Sequence, residues 1–195
     1  MKTVLLGVCG SEFAKSTIDL ILKLKDNGFV VKAILTFAAE KFVYIGDIMT
    51  RASVHPYTSS NVSNGVYKLG MPSKYYLDLV EKTDYLLIAP CTANTLAKIA
   101  NGIADNVLTT VIRCWDFQKP MFIAPAMNPL MWNNSFTKEH VNKIISLGEI
   151  EIIMPSLYQF ENCTGVGALA PINTIIACLN SARTLDEELK EKEIK

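Results

Sequence analysis

The chain has no excess of charge of either sign. Its 19 Lys and Arg balance 19 Asp and Glu for a formal net charge of zero. That leaves no electrostatic case for binding nucleic acid or an anionic membrane surface. No apolar run approaches the roughly 18 residues that a membrane span needs. The five cysteines (Cys9, Cys91, Cys114, Cys163, Cys178) are odd in number and lack metal-ligand spacing, so reduced thiols and no metal are expected. No leader precedes the first apolar run, which begins after a single Lys, and the expected location is cytoplasmic. Internal repeats are absent too.

What remains is a chain of 195 residues, half of them apolar, long enough to bury a sizeable core in one domain. Thr3-Val-Leu-Leu-Gly-Val-Cys9 is a continuous apolar run, the pattern of a strand buried on both faces. A helical period over residues 13–27 stops at Gly28, and residues 29–35 form the next strand, closing a right-handed βαβ unit. Gly7-Val-Cys-Gly10 lacks the third glycine of a dinucleotide fingerprint. A phosphate resting on the helix N-terminus after Gly10-Ser11 fits better. Tyr85-Leu-Leu-Ile-Ala-Pro90 and Pro120-Met-Phe-Ile-Ala124 are two further buried strands, each ending in a small, polar, Pro-marked loop that leads into a helix.

The spacing further predicts helices over 73–83, 134–147 and 172–183, and a strand over 149–154. Residues 47–71 read as an irregular surface excursion, and 155–171 as a loop long enough to be a lid. The expected fold is α/β: three layers around a mostly parallel sheet, Rossmann-like, with residues 1–184 as one domain and 185–195 as a solvated, charged tail.

Three blocks carry more than spacing: Thr92-Ala-Asn-Thr95, Ala100-Asn-Gly-Ile-Ala-Asp-Asn106, and Pro125-Ala-Met-Asn128 with Met131-Trp132. In this order they closely resemble the flavin-containing cysteine decarboxylases, over about residues 2–180, and most of all the coenzyme A branch of that family. The resemblance implies a flavoprotein that binds FMN and decarboxylates 4′-phosphopantothenoylcysteine to 4′-phosphopantetheine. In that chemistry the substrate thiol is oxidised to a thioaldehyde, carbon dioxide leaves, and the enethiolate is reduced again. It also implies a homotrimer, or a multiple of one, with a small-molecule substrate.

Residue by residue, the resemblance places the FMN phosphate turn at Gly10 and Ser11, a second contact at Thr36 and Ala38, and a third at Thr92, Ala93, Asn94 and Thr95. Ala126 meets the flavin ring. Small residues admit close backbone approach, and hydroxyls satisfy phosphate oxygens, so the residue types agree. The plainer role of Thr92 and Thr95 is helix capping, and that of Asn128 an N-cap. The resemblance makes Asn128 the holder of the substrate carboxylate and Cys163 the proton donor on the lid. Met131 and Trp132 read as packing. A histidine expected on the helix before the third strand is replaced by Tyr76, whose ordinary pKa near 10 makes a poor base at neutral pH. Two other functions follow from the same likeness: a regulatory or partner subunit that binds flavin, and oxidative decarboxylation of a peptide's C-terminal cysteine.

Overall fold

The computed structural model describes residues 1–58, 73–160 and 163–193. Five parallel strands form the central sheet: β1 (Thr3–Val8), β2 (Val30–Leu35), β3 (Tyr85–Cys91), β4 (Met121–Pro125) and β5 (Ile150–Ile152). Their spatial order is β2-β1-β3-β4-β5. The chain therefore leaves β1 toward one edge and later returns to build toward the other, which opens a crevice at the carboxyl ends of β1 and β3.

Alternate residues of each strand feed two core layers. Val4, Leu6, Val8, Tyr85, Leu87 and Phe122 face one side. There they meet α1 (Thr17–Asp26), α2 (Ile45–Ala52) and the long α8 (Ile172–Glu193). Leu5, Cys9, Leu86, Ile88, Met121 and Ile123 face the other side. They pack on α3 (Ser73–Glu81), α4 (Ala93–Asn101), α5 (Val107–Arg113) and α7 (Ser135–Ile145). Strands covered on both faces carry unbroken apolar runs, as the sequence of β1, β3 and β4 does.

Several expected elements differ. The first helix is split, with a 3-10 turn over Glu12–Ser16 ahead of α1. Within the supposedly irregular 47–71, residues up to Ala52 belong to α2, which buries Ile48 and Ala52; residues 59–71 of that stretch lie outside the described residues. The long loop is a hairpin instead, with β6 (Ser156–Phe160) antiparallel to β7 (Cys163–Ala168). Gly167 explains why β7 sits where it does: a Cβ there would strike the carbonyl oxygen of Met127, whose own N–H donates to Gly167 O at 2.9 Å. The hairpin is thus seated on the loop after β4. Tyr158 adds a second anchor, its hydroxyl donating to Glu12 Oε1 at 2.8 Å.

The charged tail continues α8 without a break to Glu193. Asp186 accepts hydrogen bonds from Lys2 Nζ and from the Tyr85 hydroxyl, each at 2.6 Å, and so ties this helix under the sheet. Among the described residues no helix is long and apolar enough to cross a membrane, and no group of three or more His, Cys, Asp or Glu could hold a metal ion.

Candidate functional site

Four strand ends converge on one cleft of about 610 Å³. β1 delivers Gly10 and Ser11, β2 delivers Thr36 to Ala38, β3 delivers Thr92 to Thr95, and β4 delivers Ala126 and Met127. All nine residues expected to contact FMN line this cleft: Gly10, Ser11, Thr36, Ala38, Thr92, Ala93, Asn94, Thr95 and Ala126.

Local chemistry fixes each loop. A Cβ on Gly10 would run into the Cβ and backbone of Ala38, so only glycine lets the β1 and β2 exits close on one another. Ser11 Oγ accepts from Phe13 N at 3.4 Å and caps the 3-10 turn. Thr36 Oγ1 donates to Val8 O at 3.2 Å and accepts from Ala39 N at 3.3 Å, bridging the ends of β1 and β2. Thr92 is the N-cap of α4, its Oγ1 accepting from Thr95 N at 3.5 Å. The capping role is therefore real, and it also turns the α4 N-terminus and two hydroxyls toward the cleft, a setting that suits an anion.

Six lining residues were not foreseen: Phe37, Lys98, Asp105, Asn106, Met127 and Met131. Lys98 lies three residues after Thr95 on α4, and the helical period alone puts the two on one face. Its Nζ stands 2.5 Å from Asp105 Oδ2. That hydrogen bond, with the Lys98 charge, holds the Asp105 carboxyl below its ordinary range. Asn106 caps α5 through a reciprocal pair with Thr109, Oδ1 accepting from Thr109 N and Thr109 Oγ1 accepting from Asn106 N, both at 3.1 Å. Met131, expected to pack, stands half-exposed at the cleft, whereas Trp132 does pack against the core. Lys98 and Asp105 are the only charged residues among the described lining, and they neutralise one another.

The flavoprotein family model matches residues 1–184. The chain belongs to the flavoprotein family. Mouse phosphopantothenoylcysteine decarboxylase is 37% identical over 175 residues, 89% of this chain and 83% of that protein. Soybean phosphopantothenoylcysteine decarboxylase HAL3a is 45% identical over 120 residues, and the match spans 56% of that relative's length. Among solved structures, a cysteine-to-serine mutant of PPC decarboxylase, complexed with pantothenoylaminoethenethiol, superposes with a TM-score of 0.83 at 35% identity, covering 94% of this chain and 98% of that one. The FMN binding protein AtHal3 superposes with a TM-score of 0.79 at 36% identity, covering 92% and 95%.

Within this member of the flavoprotein family, one expected substrate position stands just beyond the cleft lining, and the side chains of the two expected catalytic residues lie outside the described residues. Asn128 is exposed one residue beyond Met127 and caps the short helix α6 (Pro129–Trp132). Cys163 opens β7 opposite Phe160, and its side chain lies outside the described residues. Tyr76 lies in α3, and its side chain is likewise outside them. Residues 103–111, compatible with a subunit interface by composition, place Leu108 and Val111 wholly in the core and leave Ile103 exposed.

Proposed function

We propose that this chain binds FMN in the cleft and decarboxylates 4′-phosphopantothenoylcysteine to 4′-phosphopantetheine. The observation that carries the reading is the convergence of all nine expected FMN contacts, from four strand ends, on one cleft of about 610 Å³. That volume is within the range usual for cofactor sites. The lining fits the group: Gly10 and Ala38, packed against each other, keep the β1 and β2 exits free of bulky side chains, and Ser11, Thr36, Thr92 and Thr95 bring hydroxyls. The phosphate would rest on Gly10, Ser11 and the α4 N-terminus. Met127 and Ala126 would flank the ring.

When bound, FMN supplies reversible two-electron oxidation of the substrate thiol. In this reading the chain does the rest. Asn128 holds the substrate carboxylate with an amide N–H and adds no cation that would resist loss of carbon dioxide. Cys163 gives the proton that completes the product. The Lys98–Asp105 pair keeps the cleft mouth neutral. The reading includes a homotrimer in the cytoplasm, with exposed Leu130 and Phe136 as apolar surface for a neighbouring copy.

The test is direct. The purified protein should be yellow, release FMN on denaturation, and convert phosphopantothenoylcysteine to a product lighter by carbon dioxide, weighed by mass spectrometry. A folded protein that takes up no flavin would reject the whole reading. A flavin-loaded protein without turnover would reject only the reaction. Tyr76 in the position of the expected histidine favours a second reading, a flavin-binding subunit that needs a base from another chain. Under it, Tyr76→His raises turnover or a histidine-bearing homologous chain restores it, by a factor on the order of 10²–10⁴.

A further inference from the structure

Cys9 and Cys91 sit side by side beneath the cleft, and nothing in the proposed reaction uses them. Cys9 follows β1, and its N–H donates to Pro90 O at 3.1 Å. Cys91 ends β3, after a register shift that follows Ile88. The shift has a consequence for side-chain direction. Leu86 and Ile88 face the same core layer as Leu5 and Cys9, and strict alternation would send residue 90 there next; the irregularity delivers Cys91 instead. The two side chains thus share one face of adjacent strands. Strands about 4.8 Å apart fall within the Cα separations that a disulfide spans. Both thiols are buried, at 1% and 0% exposure. Cys9 Sγ donates to Thr95 Oγ1 at 3.2 Å, and Thr95 lines the cleft. One side chain therefore stands between Cys9 and the cleft.

We propose that Cys9 and Cys91 are a site of reversible oxidation by peroxide, closing to a disulfide between the first and third strands. Hydrogen peroxide is barely larger than water and suits so enclosed a position. The Cys9 sulfur attacks one peroxide oxygen, the O–O bond breaks, and the other oxygen leaves as water with the thiol proton. The Cys91 sulfur then attacks the Cys9 sulfenic acid. An S–S bond forms, the S–O bond breaks, and a second water leaves. In sum two thiols and one peroxide give a disulfide and two waters. The order of roles has a physical basis. The contact with Cys91, helped by Thr95 and the Lys98 charge, favours the thiolate at Cys9 against the effect of burial. The same contact, with burial, pushes Cys91 up, which leaves Cys9 as the first of the two to meet peroxide. Cys178 has no cysteine partner among the described residues, and burial with Glu151 pushes it up to about 11. Closure also removes the proton that Cys9 donates to Thr95, so the pair reports its oxidation state to the cleft floor.

The inference is independent of the flavin reading and is tested on the whole chain. Reduced protein is treated with hydrogen peroxide, its remaining thiols are blocked with N-ethylmaleimide in denaturant, and it is digested with trypsin without reduction. Tryptic peptides 3–15 and 83–98 each hold one of the two cysteines. They should appear joined, two hydrogens lighter than their sum, and separate again with dithiothreitol. In peroxide-treated Cys91→Ala protein, dimedone added together with denaturant should tag Cys9 as a sulfenic acid; in Cys9→Ala protein it should leave Cys91 untagged. Recovery of both peptides only as maleimide adducts, while exposed Cys114 has oxidised, would overturn the proposal. So would joining of either peptide to the one that holds Cys114.

Discussion

Asn128 Oδ1 accepts a hydrogen bond from Leu130 N at 2.8 Å, so the residue proposed to hold the substrate carboxylate also caps the helix after it. The two roles separate by substitution. Asp is as good an N-cap as Asn, whereas Ala loses about 0.5–2 kcal/mol. Asn128→Asp should keep wild-type stability in urea unfolding yet lose decarboxylation, because its charge repels the substrate carboxylate. Asn128→Ala should lose both. An active Asn128→Asp protein would confine the residue to capping.

Gly10→Ala tests the close approach of the β1 and β2 exits. The added methyl meets the Ala38 side chain and backbone, and backbone yields poorly. Overpacking of this kind costs about 1–3 kcal/mol. Since the turn is the proposed phosphate seat, flavin retention after gel filtration should fall together with the urea midpoint. Unchanged flavin content would remove Gly10 from the site.

The Lys98–Asp105 pair predicts a small pH effect. Lys98 lowers the Asp105 carboxyl in the folded chain relative to the unfolded one. The stabilisation is thus fully present above the unfolded aspartate value and fades as pH falls through the lower folded one. Asp105 is 49% exposed, so solvent screens the pair and its contribution is about 0.2–1 kcal/mol. Asp105→Asn should lose that amount at pH 7 and nothing at a pH below both values. A deficit that persists in acid would assign the loss to the capping network around Thr109 instead.

Asp186 is the acceptor for the buried Tyr85 hydroxyl. A chain ended after residue 184 strands that hydroxyl and leaves Lys2 with Asp84 as its remaining carboxylate. Leaving such a buried group unsatisfied costs about 1–3 kcal/mol. Thermal unfolding of the truncated chain should register the loss, and Asp186→Ala should reproduce most of it. Equal stability of the two lengths would make residues 185–195 a dispensable tail.

Much of this was legible because β1, β3 and β4 are buried on both faces, and burial on both faces writes itself as an unbroken apolar run. Their exits were legible too, since a loop that must admit a ligand to backbone uses Gly, Ser, Thr and Ala. The hairpin was not. Leu157 and Val166 stay exposed, so no period of two marks the strands. The glycines in Thr-Gly-Val-Gly-Ala look like loop flexibility, but Gly167 is small because Met127 lies against it. The docking of Asp186 was hidden for a different reason: its partners are 184 and 101 residues away, and a charge run looks the same whether solvated or paired. Lys98 could have been found from its helical spacing to Thr95.

The cleft draws on residues from Gly10 to Met131, so no fragment of the sheet retains it. Any opening that separates β1 from β3 or β4 dissolves the site entirely. A ligand that binds only the assembled cleft therefore adds its binding free energy to the stability of the whole chain rather than of one corner. Supply of that ligand in the cell would then set how long the folded chain survives proteolysis, with abundance following occupancy.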